Sequence, residues 1–385
     1  MNHPHLDGAN SALRSRDRRL VRFHLAELDH LSGIEHKLYG YLLGLSETVT
    51  EPDLTDEKHR LLNLCLLAFQ PGFQAEAKQR AADLMSAGVP DWAEDLLKAI
   101  DITGACHWRP VIQALLQHED LSETLYWRLL TYWPDSTSPE QLAGPLRWTG
   151  AQFGEIAARV RLECPDWTDF SSEIRDSFTD PDRQEDLLWL VLGGLVDTDK
   201  TAAHAMLRDW LIANPNSTDA LCAATVSGDP DYNDVLQLGV RDGHIPAFWL
   251  AVHGQSAHLE FCLNLLRNPA DNRQTEAAWY GLTGQRLSRV PGADLGLPAA
   301  SNKKKQVLAD FRMAQHWLQQ HQPQGRLCLG QDHTERPFRP QLGLFFGEWA
   351  RPAALSLWVD SGGTVFTRHT ECHWRRVRAL REATV

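Results

Sequence analysis

Apolar residues along this chain recur at helical spacing. From Val21 to Leu45, Phe23 is followed two residues on by Leu25, after which Leu28, Leu31, Ile34, Leu38, Leu42 and Leu45 step forward by three or four residues. That spacing lines one face of a helix. Further on, the pattern alternates between two kinds of run. One mixes small and large apolar residues, as in Leu221–Val226, Ala247–Val252 and Ala277–Leu282. The other is amphipathic, as in Val235–Leu238 and Leu259–Leu266. Period-two alternation, the mark of a half-buried strand, is rare and clearest at Arg326–Leu329.

Turn signals separate the two kinds of run. Gly72, Gly104, Pro134, Pro165, Thr198, Asp229, Gly254 and Gly284 serve as markers, spaced 32, 30, 31, 33, 31, 25 and 30 residues apart. A helix–turn–helix unit has this length, with the marker between its two helices. One such pair cannot bury its apolar face alone, so stacking is what stabilises it. The pattern predicts an all-α chain, an α-solenoid of stacked HEAT-like pairs with a small helical C-terminal part. The divisions expected are a polar, basic, mobile arm over 1–20, a capping helix and loop over 21–55, the repeat array over 56–290, a Gly/Pro/Ala-rich linker over 291–301, and the C-terminal part over 302–385. Helices are expected there near Lys303–Gln320, Ala353–Val359 and Glu371–Arg381.

Composition narrows the class. Of 385 residues, 43% are hydrophobic and 23% charged, as in a folded protein. The longest apolar run, Leu187–Val196, is far shorter than the ~20 residues that span a bilayer. No apolar signal segment opens the chain, so a cytoplasmic location is expected. The seven cysteines stand singly, which fits reduced thiols.

The net charge of −12 is uneven. Between Asp166 and Asp242 there are 16 acidic and five basic residues, a net of −11. Arg14, Arg16, Arg18, Arg19 and Arg22 make the start basic, and Arg375, Arg376, Arg378 and Arg381 the end. An acidic middle argues against a role in cradling nucleic acid, which needs a basic surface, and points to a basic protein partner. The candidate docking residues are Asp197, Asp199, Asp229, Asp231 and Asp234, together with Trp249 and Trp279. Those two belong to a set of fourteen tryptophans that either line an aromatic groove or pack between layers.

Little in the sequence carries catalytic chemistry. There is no G-x-S-x-G, P-loop, H-E-x-x-H or G-x-G-x-x-G. His369, Cys372 and His373 share helical spacing, as do His258 and Cys262 with His253 nearby, but neither group makes a complete set of four metal ligands. Asp229–Asp234 opens like a calcium loop yet has Asp234 where glycine is needed and Val240 where the closing acid belongs. No cofactor or metal is expected.

Three segments carry a resemblance. Val21–Leu31 with Tyr41–Leu45, Glu276–Gly284 (Glu-Ala-Ala-Trp-Tyr-Gly-Leu-Thr-Gly) and Gly325–Gly330 (Gly-Arg-Leu-Cys-Leu-Gly) resemble elements of an uncharacterised bacterial HEAT-like repeat family, often encoded beside type VI secretion spike and effector genes. The resemblance implies a non-enzymatic adaptor or chaperone for effector or spike assembly, and transfers no catalytic residue. The alternatives are an enzyme or metal-binding protein with its site in the C-terminal part, and a helical solenoid that binds nucleic acid.

Overall fold

The structure, a computed structural model, describes residues 4–21, 25–88, 93–133, 184–196, 200–295, 307–335, 338–373, 375–377 and 380. It is mostly helical, and it divides into two compact units. The first comprises Met1–Leu20, Asp29–Asp169 and Thr370–Ala379; the second comprises Val21–Leu28, Phe170–His369 and Leu380–Val385.

The first unit contains α1 (Pro4–Leu20), most of α2 (Leu25–Ser46), α3 (Arg60–Ala68), α4 (Ala77–Ser86), α5 (Ala93–Thr103), α6 (Ala105–Leu115) and α7 (Glu123–Leu130). α3 packs on α5, and α4 on α6. The expected mobile arm is instead the helix α1. Leu6, Ala9, Leu13 and Arg16 recur at helical spacing, and Ala9, Leu13 and Arg16 are buried. The arginines around them hide this narrow apolar stripe in the sequence. Arg16 pairs with buried Glu35 of α2 at 2.9 Å and also donates to the Thr370 carbonyl.

The second unit contains α8 (Gln184–Val196), α9 (Thr201–Ala213), α10 (Thr218–Ser227), α11 (Asn233–Arg241), α12 (Phe248–His253), α13 (His258–Leu266) and α14 (Asn272–Thr283). These are followed by α15 (Phe311–His321) and α16 (Arg351–Asp360). α10 packs on α8 and on α12, and α12 packs on α14; on the other side α11 packs on α13, and α13 on α15. Of the turn markers, Gly72, Gly104, Asp229, Gly254 and Gly284 fall just after a helix ends, while Pro134, Pro165 and Thr198 lie outside the described residues. Gly254 and Gly284 close α12 and α14 in the left-handed conformation, at φ +86° and +70°, where glycine carries no steric penalty. The short spacing of 25 between Asp229 and Gly254 reflects the six-residue α12.

Of the region read as a linker and a separate C-terminal part, the residues up to His369 and from Leu380 on belong to this unit, while Thr370–Ala379 belong to the first. β1 (Arg289–Pro291) pairs antiparallel with β2 (Val307–Ala309). Buried Asn272 holds β2 by donating to the Ala309 carbonyl at 2.9 Å and accepting from its N–H at 2.7 Å. The helix expected over Lys303–Gln320 begins only at Phe311, where Asp310 caps it through the Arg312 N–H. The period-two stretch forms β3 (Leu327–Cys328), paired with β4 (Gln331–Asp332). α16 lies across α8, α10 and α12.

Candidate functional site

Three arginine and histidine networks, two of them buried, organise the second unit. The segment Gly325–Gly330 runs along the C-terminal ends of α12 and α14. Leu327 donates to the Gly254 carbonyl at 2.7 Å, and Leu329 and Gly330 donate to those of Gly281 and Leu282 at 2.8 Å each. These carbonyls have no partner within their own helices, so the segment acts as a cap.

Two arginines reinforce it. Arg326 donates to the His253 carbonyl at 3.3 Å and to Asp360 at 3.2 Å. Wholly buried Arg339 donates to Asp360 at 3.0 Å, to Ser356 Oγ at 2.6 Å and to the Val252 carbonyl. Cations at helix C-termini are electrostatically favoured. Burial, followed by the neighbouring charge of Arg339, pulls the Arg326 guanidinium down to about 10.

The second network is a chain of rings. His253 Nε2 lies 3.0 Å from the Asp229 carbonyl, so it carries the proton and donates. His253 Nδ1 is therefore the acceptor for His258 Nε2–H at 2.8 Å, and His258 Nδ1 accepts from Gln237 Nε2 at 3.2 Å. Every ring nitrogen is engaged, which leaves no lone pair for a metal. Burial drives His258 down to about 4, and His253 well below its usual range through burial and then its neighbour His258. Both rings are neutral near pH 7. Nearby Cys262 is buried, and its thiol is pushed up to about 12.

The third network lies on α16. Arg351 bridges Glu185 of α8 at 2.9 Å and Asp219 of α10 at 3.3 Å. Two carboxylates of the acidic section thus have a basic partner within the chain, and Asp186 is buried. Asp209, Asp231 and Asp234 remain exposed.

The candidate docking residues separate accordingly. Asp197 and Asp199 lie outside the described residues. Asp229 is structural: its carboxylate accepts from the Asp231 N–H at 3.0 Å and faces His204 at 3.4 Å. Asp231 and Asp234 face solvent. Trp249 and Trp279 are core residues, not docking residues. Trp249 Nε1 donates to the Trp349 carbonyl at 3.1 Å, and fully buried Trp279 stacks edge-on with Trp317 at 5.7 Å. The unbroken apolar residues around both were the sign of this.

His369, Cys372 and His373 do not share a unit, since His369 belongs to the second and the others to the first. Cys372 is buried, with its N–H on the Asp101 carbonyl at 3.3 Å, and the His373 N–H donates to Glu35 at 2.7 Å. Among the described residues no group of three His, Cys, Asp or Glu side chains is arranged to hold a metal. None of the described helices is long and apolar enough to cross a membrane. Compared with protein-family models, with curated proteins and with solved structures, the chain matches none.

Proposed function

We propose that this chain is an α-solenoid of stacked HEAT-like helix pairs, serving in the cytoplasm as a non-enzymatic protein-interaction scaffold. Following the resemblance in its opening segment, its α14 end and its Gly325–Gly330 segment, the specific role proposed is adaptor or chaperone for a type VI secretion effector or spike component.

The observation that carries the reading is the order of packing. α8, α10, α12 and α14 follow one another on one side, while α11, α13 and α15 follow on the other. In an array of this kind each pair contacts its neighbours and presents a repeated surface, which suits extended protein partners. The test is affinity capture of the tagged full chain from its native host. Recovery of a secretion spike or effector component is expected. Recovery of an unrelated pathway alone would refute the specific role, and recovery of no stable partner would refute the scaffold.

A further inference from the structure

A cleft of about 830 Å³ runs between α13 and α15 of the second unit. The two helices pack on each other and run antiparallel. At one end Arg267, at the close of α13, donates to Gln315 near the start of α15 at 3.4 Å. At the other end the Ser256 N–H, just before α13, donates to the Gly325 carbonyl, just after α15, at 2.9 Å. Buried Leu259 and Leu263 and half-buried Leu318 line its base.

Each wall carries a polar stripe. Glu260, Asn264 and Arg267 line the cleft from α13, and Gln315, Gln319 and Gln322 line it from α15. Both sets have the spacing i, i+4, i+7, which keeps residues on one face of a helix. Most of this polarity is unengaged. The side chains of Glu260, Gln319 and Gln322 have no hydrogen-bond or ion-pair partner among the described residues. Arg267 meets no carboxylate among them: it rests over the Phe311 ring at 5.8 Å and reaches only amide oxygens, of Gln315 and, at 3.5 Å, of Asn264. An unpaired cation and an unpaired anion thus stand two turns apart on one wall, about 10 Å along the helix.

Gln322 is also strained. It ends α15 in the left-handed conformation, at φ +40° and ψ +51°, where helix ends favour glycine. Strain of this kind collects at ligand-binding positions. Here it holds a side-chain amide at the lip of the cleft, where glycine would leave none.

These features select an occupant. A single cation does not suit nucleic acid, and no aromatic side chain among the described residues lines the cleft to stack a base or a sugar ring. Primary amides offer a donor and an acceptor each, the complement of peptide N–H and C=O groups. A chain in the polyproline-II form has no internal hydrogen bonds, so its backbone groups are free to meet them. It also brings residues i and i+3 to one face about 9 Å apart, close to the separation of Glu260 and Arg267. We infer that the α13–α15 cleft binds an extended, polyproline-II-like peptide segment of a partner protein, with a basic residue on Glu260 and an acidic residue three positions away on Arg267. The inference rests on the scaffold reading and names the partner chemistry for it.

The test uses the full chain and two fluorescent peptides of equal composition, capped at both ends. One has the order Ala-Lys-Pro-Ala-Glu-Ala, and the other, Ala-Pro-Lys-Glu-Ala-Ala, sets the charges side by side. In anisotropy titrations at physiological salt the first should bind more tightly than the second. Glu260→Gln and Arg267→Gln should each weaken its binding about fivefold while leaving the thermal melt in place. Arg241→Gln, which removes a cation from another exposed site, should leave binding unchanged. Gln322→Gly should melt higher, because the strain is relieved, and yet bind more weakly. The inference would be overturned by absence of binding, by equal binding of the two peptides, by an equal loss in Arg241→Gln, or by a Gln322→Gly variant that binds as well as wild type. Capture from the native host reads the scaffold independently, so a stable complex without peptide binding would sink the cleft and leave the scaffold standing.

Discussion

Arg339 is wholly buried, yet each of its guanidinium nitrogens has an acceptor in Asp360, Ser356 or the Val252 carbonyl. Removing one partner of such a network leaves the others desolvated and unpaired. Arg339→Ala should therefore cost about 3 kcal/mol, read as a lower midpoint in urea unfolding. The histidine chain makes a second expectation at this scale. His258 is held at about 4 in the folded protein, against an ordinary 6.5. The unfolded chain takes up the proton first, so this stability is complete above pH 6.5 and is lost as pH falls toward 4. Between pH 7 and pH 4 the stability gap between wild type and His258→Gln should narrow by about 3 kcal/mol. A gap independent of pH would contradict a neutral His258. Neither network was legible in the sequence, because its members are brought together from distant segments. The spacing of His258 and Cys262 was visible, but the partners Gln237 and Asp229 are defined only by the packing of α11 against α13.

At the scale of elements, the turn markers were readable because they have a direct physical cause. Gly254 and Gly284 end helices at positive φ, where other residues are strained. Gly284 is also crowded, since a Cβ there would stand 2.7 Å from the Leu329 carbonyl oxygen. Gly284→Ala should push away the Gly325–Gly330 segment and cost about 1–3 kcal/mol, measurable as a drop in Tm. A neutral substitution would show that the segment is not a cap. The N-terminal helix α1 was hidden because its apolar stripe is narrow and set among arginines. The helix expected from Lys303 starts late because Val307–Ala309 pairs with β1, and local periodicity does not report a strand that short.

At the scale of the whole chain, the apolar runs held more than was read from them. Leu187–Val196 and Leu221–Val226 are hydrophobic all round, the mark of a helix buried on every side. In the second unit that burial comes from neighbouring first helices together with α16, a cover supplied by residues more than a hundred positions later. The acidic section was legible as composition, but its meaning was not. Arg351 neutralises Glu185 and Asp219, and Asp229 caps a turn, so net charge overstated the surface open to a partner. Asp209, which drew no notice in the sequence, stands beside the most exposed large hydrophobe of the described residues, Ile212.

The most direct test of the scaffold reading is carboxylate footprinting of the chain, alone and in the complex captured from its native host. Slower modification of the exposed acids Asp209, Asp231 and Asp234 is expected, with Glu185 and Asp219, which Arg351 engages, unchanged. The reading would be contradicted by a complex that leaves these exposed acids as reactive as in the free chain, or by no stable complex forming.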